Sequence, residues 1–173
     1  MTTRSSADRH AVWRLHTGIA IFWVAMLGVL YLAMERYLQP SQAVVTASGS
    51  LRIERHRDGH FYVDGRVNDQ MVRFMVDTGA TYIAVTDALA QSAGLHGGEV
   101  AQFRTANGTR TGRLVRTQRI TVGPLQVQHL TVGTGYTGAS AQDALLGQNF
   151  LRQFDVLMRG DMLELRPRPA SAR

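Results

Sequence analysis

The stretch Phe74-Met75-Val76-Asp77-Thr78-Gly79-Ala80-Thr81-Tyr82-Ile83-Ala84-Val85-Thr86 constrains this chain more than any other, because it sets one acidic triplet between two apolar, β-branched runs. Such runs read as strands packed against a core. A carboxylate at the end of a buried strand is costly unless its site uses it, since desolvation and any like charge nearby push its pKa upward. Asp-Thr-Gly provides a way to keep the acid accessible. Gly79 lets the backbone turn tightly with no Cβ in the way, and the Thr78 hydroxyl can hydrogen-bond neighbouring backbone or a partner loop. Asp77 is then presented at a loop tip.

The surrounding sequence is mostly β. Strands are expected at 51–53, at 61–67 and 71–76 around the polar turn Asn68-Asp69-Gln70, and at 112–115, 118–122 and 127–132, with Gly123-Pro124 as a turn. Residues 86–94 read as a short helix with a Thr or Asp cap and a glycine stop, and a second helix is expected from near Gln148 to near Phe154. Asn107-Gly108 is a hairpin signal. Ala144-Leu145-Leu146-Gly147-Gln148-Asn149-Phe150-Leu151 runs from an apolar strand through a glycine into a helical start. Many short strands with one or two short helices predict an all-β, closed β-barrel-like fold.

Residues 17–34 carry no charge, enough for a membrane span, which needs about 17 to 25 predominantly apolar residues. Trp13, Trp23, Tyr31 and Tyr37 include suitable interface aromatics. Arg4, Arg9 and Arg14 precede the run, whereas Arg36, beside Glu35, follows it closely, so the positive-inside rule places the N-terminus in the cytoplasm and exports the rest. The competing reading is a cleaved signal peptide with a small-residue site near Val45-Thr46-Ala47. The run exceeds the usual h-region and the site lies well beyond it, which favours an uncleaved anchor. The expected organisation is a cytoplasmic segment 1–16, an anchor 17–36, a polar linker 37–50, a domain 51–167 and a disordered tail 168–173, with fraying after Leu165.

The chain has no cysteine, so neither disulfides nor a thiolate metal site is available. Its net charge of +6 comes from arginine alone. Arg104, Arg110, Arg113, Arg116 and Arg119 are scattered along strands without an aromatic stacking platform, which argues for a solvated or lipid-headgroup-facing surface and against nucleic acid. No metal and no other cofactor is expected.

Taken in order, the Asp-Thr-Gly loop, the Asn-Gly hairpin and the Leu-Leu-Gly-x-x-Phe-Leu element resemble the retropepsin-like aspartic proteases, in particular a bacterial branch carried on a single membrane anchor. The resemblance covers about 51–167 and implies a single-lobed acid protease fold. It maps the catalytic aspartate onto Asp77 and its loop onto Thr78, Gly79 and Ala80. It maps a flap onto about 103–115 with Asn107, Gly108 and Thr109 at the tip, and a loop-supporting element onto Leu145, Leu146 and Gly147. Within it Thr78 would brace paired loops, Gly79 would leave room for water and substrate, and Ala80 would supply the small side chain needed where substrate backbone passes.

Aspartic hydrolysis needs two carboxylates a hydrogen bond apart sharing one proton. One Asp-Thr-Gly in a domain too small for a second lobe implies a homodimer with Asp77 of each copy at the two-fold axis. Asp143 is the rival second carboxylate; its simpler role is a turn or cap ahead of Leu145. Asp58, Asp64, Asp69 and Asp161 read as turn residues. The function expected is a membrane-anchored endopeptidase acting on proteins or peptides, in a bacterial inner membrane with the protease domain periplasmic. A non-catalytic dimeric peptide-binding module of the same fold is the alternative, and an exported β-domain whose triplet is only a turn is a third reading.

Overall fold

A computed structural model describes residues 6–38, 43–105 and 108–168, and the chain divides into two units, Met1–Pro40 and Ser41–Arg173. The first holds helix α1 (Ser6–Leu38), whose 33 residues make a rod of about 50 Å. Its stretch His16–Met34 is long and apolar enough, by length and composition, to cross a membrane, and its Ile21, Phe22, Val24 and Leu27 side chains are exposed.

The second unit is mostly strand. Its elements are β1 (Val44–Val45), β2 (Leu51–Glu54), β3 (Tyr62–Val67), β4 (Gln70–Val76), β5 (Ile83–Val85), α2 (Asp87–Ser92), β6 (Glu99–Thr105) and β7 (Gly108–Arg116). There follow β8 (Arg119–Val122), β9 (Leu125–Gln128), β10 (Thr131–Gly133), β11 (Asp143–Leu146), α3 (Gln148–Leu151), β12 (Phe154–Arg159) and β13 (Met162–Pro167). Among the described residues these make a four-stranded sheet in the order β1-β2-β13-β12 and a nine-stranded sheet in the order β6-β7-β10-β5-β11-β4-β3-β8-β9. The fold is all-β with short helices, as the composition of the strands requires.

Alternation places the core. Leu51 and Ile53 on β2, Val63 and Val67 on β3, Phe74 on β4, Ile83 and Val85 on β5, and Leu163 and Leu165 on β13 point inward and are buried; on β2 and β3 the alternate Arg52, Asp64 and Arg66 face out, while on β13 the intervening Glu164 is also largely covered. Phe150 and Leu151 of α3 close the core from one end. Each fully buried Leu, Ile or Phe contributes about 1.5–3 kcal/mol.

Several elements differ from the sequence reading. The strand expected over 127–132 is two strands, because His129 adopts φ 57° and turns the chain; β9 stays with β8 while β10 crosses to pair with β5 and β7. Part of the segment expected as linker is sheet, since Val44 and Val45 pair with Arg52 and Leu51. The end of β13 does not fray after Leu165: Arg166 and Pro167 pair with β12, and Arg168 bonds Asp155 and the Phe154 carbonyl. Asp64 lies within β3 opposite Arg73 and not in a turn.

Candidate active site

The site is set by one topological fact. β11 lies between β4 and β5, pairing parallel with β4 and antiparallel with β5, so the connection 77–82 must arch over the end of β11. The residue at that end is Gly147. A Cβ there would overlap the Tyr82 carbonyl and lie 3.0 Å from the Ala80 oxygen, so the arch sits directly on the glycine backbone.

Backbone bonds then pin the arch from below. Asp77 N–H donates to the Leu146 carbonyl (3.2 Å), Gln148 N–H to Ala80 O (2.8 Å) and Asn149 N–H to Thr81 O (3.1 Å), while Gln148 Nε2 donates to Thr78 O (3.1 Å). Within the arch, Gly79 N–H donates to Asp77 Oδ1 (2.8 Å) and Ala80 N–H to Asp77 O (3.3 Å). The first is an Asx-type bond that a short acidic side chain supplies and that fixes the carboxylate's direction. Leu145, opposite Met75 and Ala84, and the fully buried Leu146 hold the strand beneath. Thr78 and Gly79 are exposed at the crest, and Asp77 and Ala80 are half-buried.

The arch opens into a cleft of about 620 Å³ bounded by Asp77, Ala80, Phe103, Arg110, Tyr136 and Leu145 among others. Its roof is the β6–β7 hairpin, where Gly108 and Thr109 are exposed near the turn, Gly108 has φ 107°, and Asn107 lies outside the described residues. The Phe103 ring lies against Gly133 and Gly112: a Cβ on either would come within about 3 Å of it. Asp77 is the one carboxylate lining this cleft among the described residues.

Asp143 does not enter the cleft. Its oxygens accept from Ser140 N–H (2.7 Å) and Ser140 Oγ (3.1 Å), capping the turn before β11. It pairs with Arg73, four residues before Asp77 on β4, which puts it roughly 13 Å away along the strand. Asp69 bonds Arg119, and Asp161 bonds Arg55, both at the surface. His56 and His60, four apart in a turn, each place Nδ1 within 3.3 Å of Asp58 Oδ1. Among the described residues no group of three His, Cys, Asp or Glu could hold a metal ion.

Two contributors were not visible in the sequence. Asn149 accepts from Ile83 N–H (2.9 Å) through Oδ1 and donates to Thr131 O (2.6 Å) through Nδ2, tying α3 to β5 and β10 behind the arch. The only hint was the amide pair Gln148-Asn149 between Gly147 and two buried apolar residues. Tyr136 lines the cleft with its N–H on Val85 O (3.1 Å). Burial pushes its phenol upward, and the charges of Asp143 and Asp77 push it the same way, so it stays a neutral donor across the physiological range.

A half-buried carboxylate held rigidly at the floor of a roofed cleft is suited to acid-base work on a bound chain. Residues 63–153 match a family profile described as "gag-polyprotein putative aspartyl protease". An uncharacterised protein of Rickettsia prowazekii (strain Madrid E) is 31% identical over 157 residues, 83% of this chain and 64% of that protein. An uncharacterised protein from the cobV 5' region of a Sinorhizobium species is 32% identical over 118 residues, 66% of this chain and 50% of that one. The chain thus spans between half and two thirds of these relatives. The crystal structure of a retropepsin-like aspartic protease from Rickettsia conorii superposes with a TM-score of 0.57 at 28% identity, covering 73% of this chain and 94% of that one. By profile, sequence and fold, the chain belongs to the retropepsin-like aspartic protease family.

Proposed function

We propose that this protein is a membrane-anchored aspartic endopeptidase whose active site is completed when two copies bring their Asp77 side chains together. The observation that carries this reading is the cleft itself: a carboxylate at its floor, its Oδ1 held by Gly79 N–H on an arch tied down by backbone bonds, with no second acid lining it among the described residues. The partner's Asp77 would be that acid. One carboxylate takes a proton from water as the water attacks the scissile carbonyl, and the other, protonated, donates to the carbonyl oxygen. Such a dyad titrates as a unit, giving a bell-shaped pH profile with an optimum below neutral.

The surface supports pairing. Thr78 stands exposed at the crest of the arch, where a two-fold axis would set it against its own copy. Val44 and Val45 on β1, and Val156 and Met158 on β12, leave exposed apolar side chains on the two end strands of the smaller sheet. In this role Thr78 braces the loops, Gly79 and Ala80 leave the substrate path open, and the hairpin around Gly108 and Thr109 closes over an extended peptide held by strand-like bonds. The apolar helix would hold the protein in a bacterial inner membrane with residues 51–167 on the periplasmic side, and confinement to one bilayer would favour the dimer.

The test uses the full chain in detergent micelles or nanodiscs, a mixed peptide library at about pH 4 to 7, and the Asp77→Asn variant. Cleavage by the wild type that falls at least 10³-fold in Asp77→Asn, with the dimer retained in sedimentation, is the expected outcome. Peptide binding without cleavage, unchanged by the substitution, would instead identify a binding module.

A further inference from the structure

We propose that Arg110, on the inner side of the β6–β7 hairpin, selects an acidic side chain in the substrate close to the cleaved bond. The proposal rests on the endopeptidase reading of the same cleft and adds the chemical class of its substrate.

Register fixes which way Arg110 faces. It is the cross-strand partner of Phe103, and partners across an antiparallel pair project from the same side. The Phe103 ring is packed on Gly133 and Gly112, which identifies that side as the one turned toward the cleft, and Arg110 lines the cleft with it. Arg104, the neighbour of Phe103, belongs to the opposite side of the ribbon by register, although it too lines the cleft.

Charge gives the second half of the argument. Elsewhere on the domain Arg55, Arg119, Arg166 and Arg168 each hold a carboxylate at 2.9–3.2 Å, and Arg66, Arg113 and Arg152 donate to backbone carbonyls instead. Among the described residues Arg104 and Arg110 hold none within 4 Å. The acid lining their cleft is Asp77, whose Oδ1 is already engaged by Gly79 N–H. The cleft therefore carries two cations against one carboxylate. A guanidinium presents a planar fork of donors that matches a carboxylate in a bidentate pair, and an extended peptide points alternate side chains toward its roof. A Glu or Asp at a roof-facing position would find its counter-charge in Arg110, which is exposed beside the cleft.

The measurement is kcat/KM of the full chain in detergent on peptide pairs differing only in Glu against Gln, scanned over about three positions on each side of the cleaved bond. Wild type is expected to favour Glu about tenfold at one position, and Arg110→Gln to bring that ratio to about one whatever its overall rate. Arg110→Glu is expected to turn the preference toward Lys or Arg at the same position. A ratio near one at every position in wild type, or a ratio that survives Arg110→Gln, overturns the proposal while leaving the endopeptidase reading intact. If no peptide is cut, the endopeptidase reading fails, and fluorescence anisotropy with the same labelled pairs decides the subsite: a Glu preference lost in Arg110→Gln supports it, and equal binding overturns it.

Discussion

A methyl group at position 147 has nowhere to go, since it would run into the Tyr82 carbonyl that crosses above it. The backbone there has φ −85°, which any residue adopts, so the cost of a side chain is purely steric. Gly147→Ala is expected to destabilise the folded domain by about 2 kcal/mol in chemical denaturation and to displace the arch bearing Asp77. Asn149 makes the complementary case. Replacing it with Leu strands the N–H of the buried Ile83 and the Thr131 carbonyl, a loss of about 2 kcal/mol by the same measurement. Gly147 was legible as a site residue because the Leu-Leu-Gly pattern is local. Asn149 was not, because its partners lie 66 and 18 positions away and only folding brings them together.

Elements obey the same division. Helix α2 could be read from its cap, and Thr86 does accept from Leu89 N–H (3.1 Å). The same hydroxyl also donates to the Ala141 carbonyl, a contact across 55 residues that local sequence does not announce. Thr86→Val keeps the shape and removes both bonds, so a loss of about 1–2 kcal/mol is expected in urea unfolding. In the β6–β7 hairpin, Asn107-Gly108 announced the turn, but the docking of Phe103 on Gly133 of β10, beside Gly112 of its own ribbon, sets how the ribbon lies. Phe103→Ala is expected to lower kcat/KM about tenfold while shifting the unfolding midpoint little, since the ring is only half-buried. The split of 127–132 has the same origin: Val127, Thr131 and Val132 are good strand formers, and the left-handed turn at His129 accompanies the two different neighbours β9 and β10 must reach.

Across the whole molecule, titration couples charge to stability. Burial pushes the Asp58 carboxyl upward, but hydrogen bonds from His60 N–H and Tyr62, with the imidazole of His56 close by, outweigh it and hold the group well below the ordinary 3.8. The hydrogen bond from Arg166 lowers Glu164 below its ordinary 4.5 against the effect of burial, helped by the charges of Arg166 and Arg52. Both carboxyls bind protons more readily in the unfolded chain. Their stabilisation is therefore complete above about pH 5 and is lost as pH falls through the lowered folded values. The denaturation midpoint is expected to decline from about pH 5 to 3, less steeply in Asp58→Asn. At the alkaline end burial and the Asp58 hydrogen bond push Tyr62 up to about 12 from 10.0, so its share persists to about pH 10 and is lost as pH rises toward 12, and Tyr62→Phe removes that loss.

The sequence by itself determined the apolar helix, the alternating strands and the turn-forming triplet, because chain length, period and backbone freedom are local properties. Only the tertiary structure decided that β11 passes between β4 and β5 so that Asp77 arches over Gly147, that Asp143 lies at the far end of that strand, and that Arg110 turns toward the cleft. Those outcomes depend on register and on contacts between residues distant in sequence, where a shift of one position would exchange the buried and exposed sides of a strand.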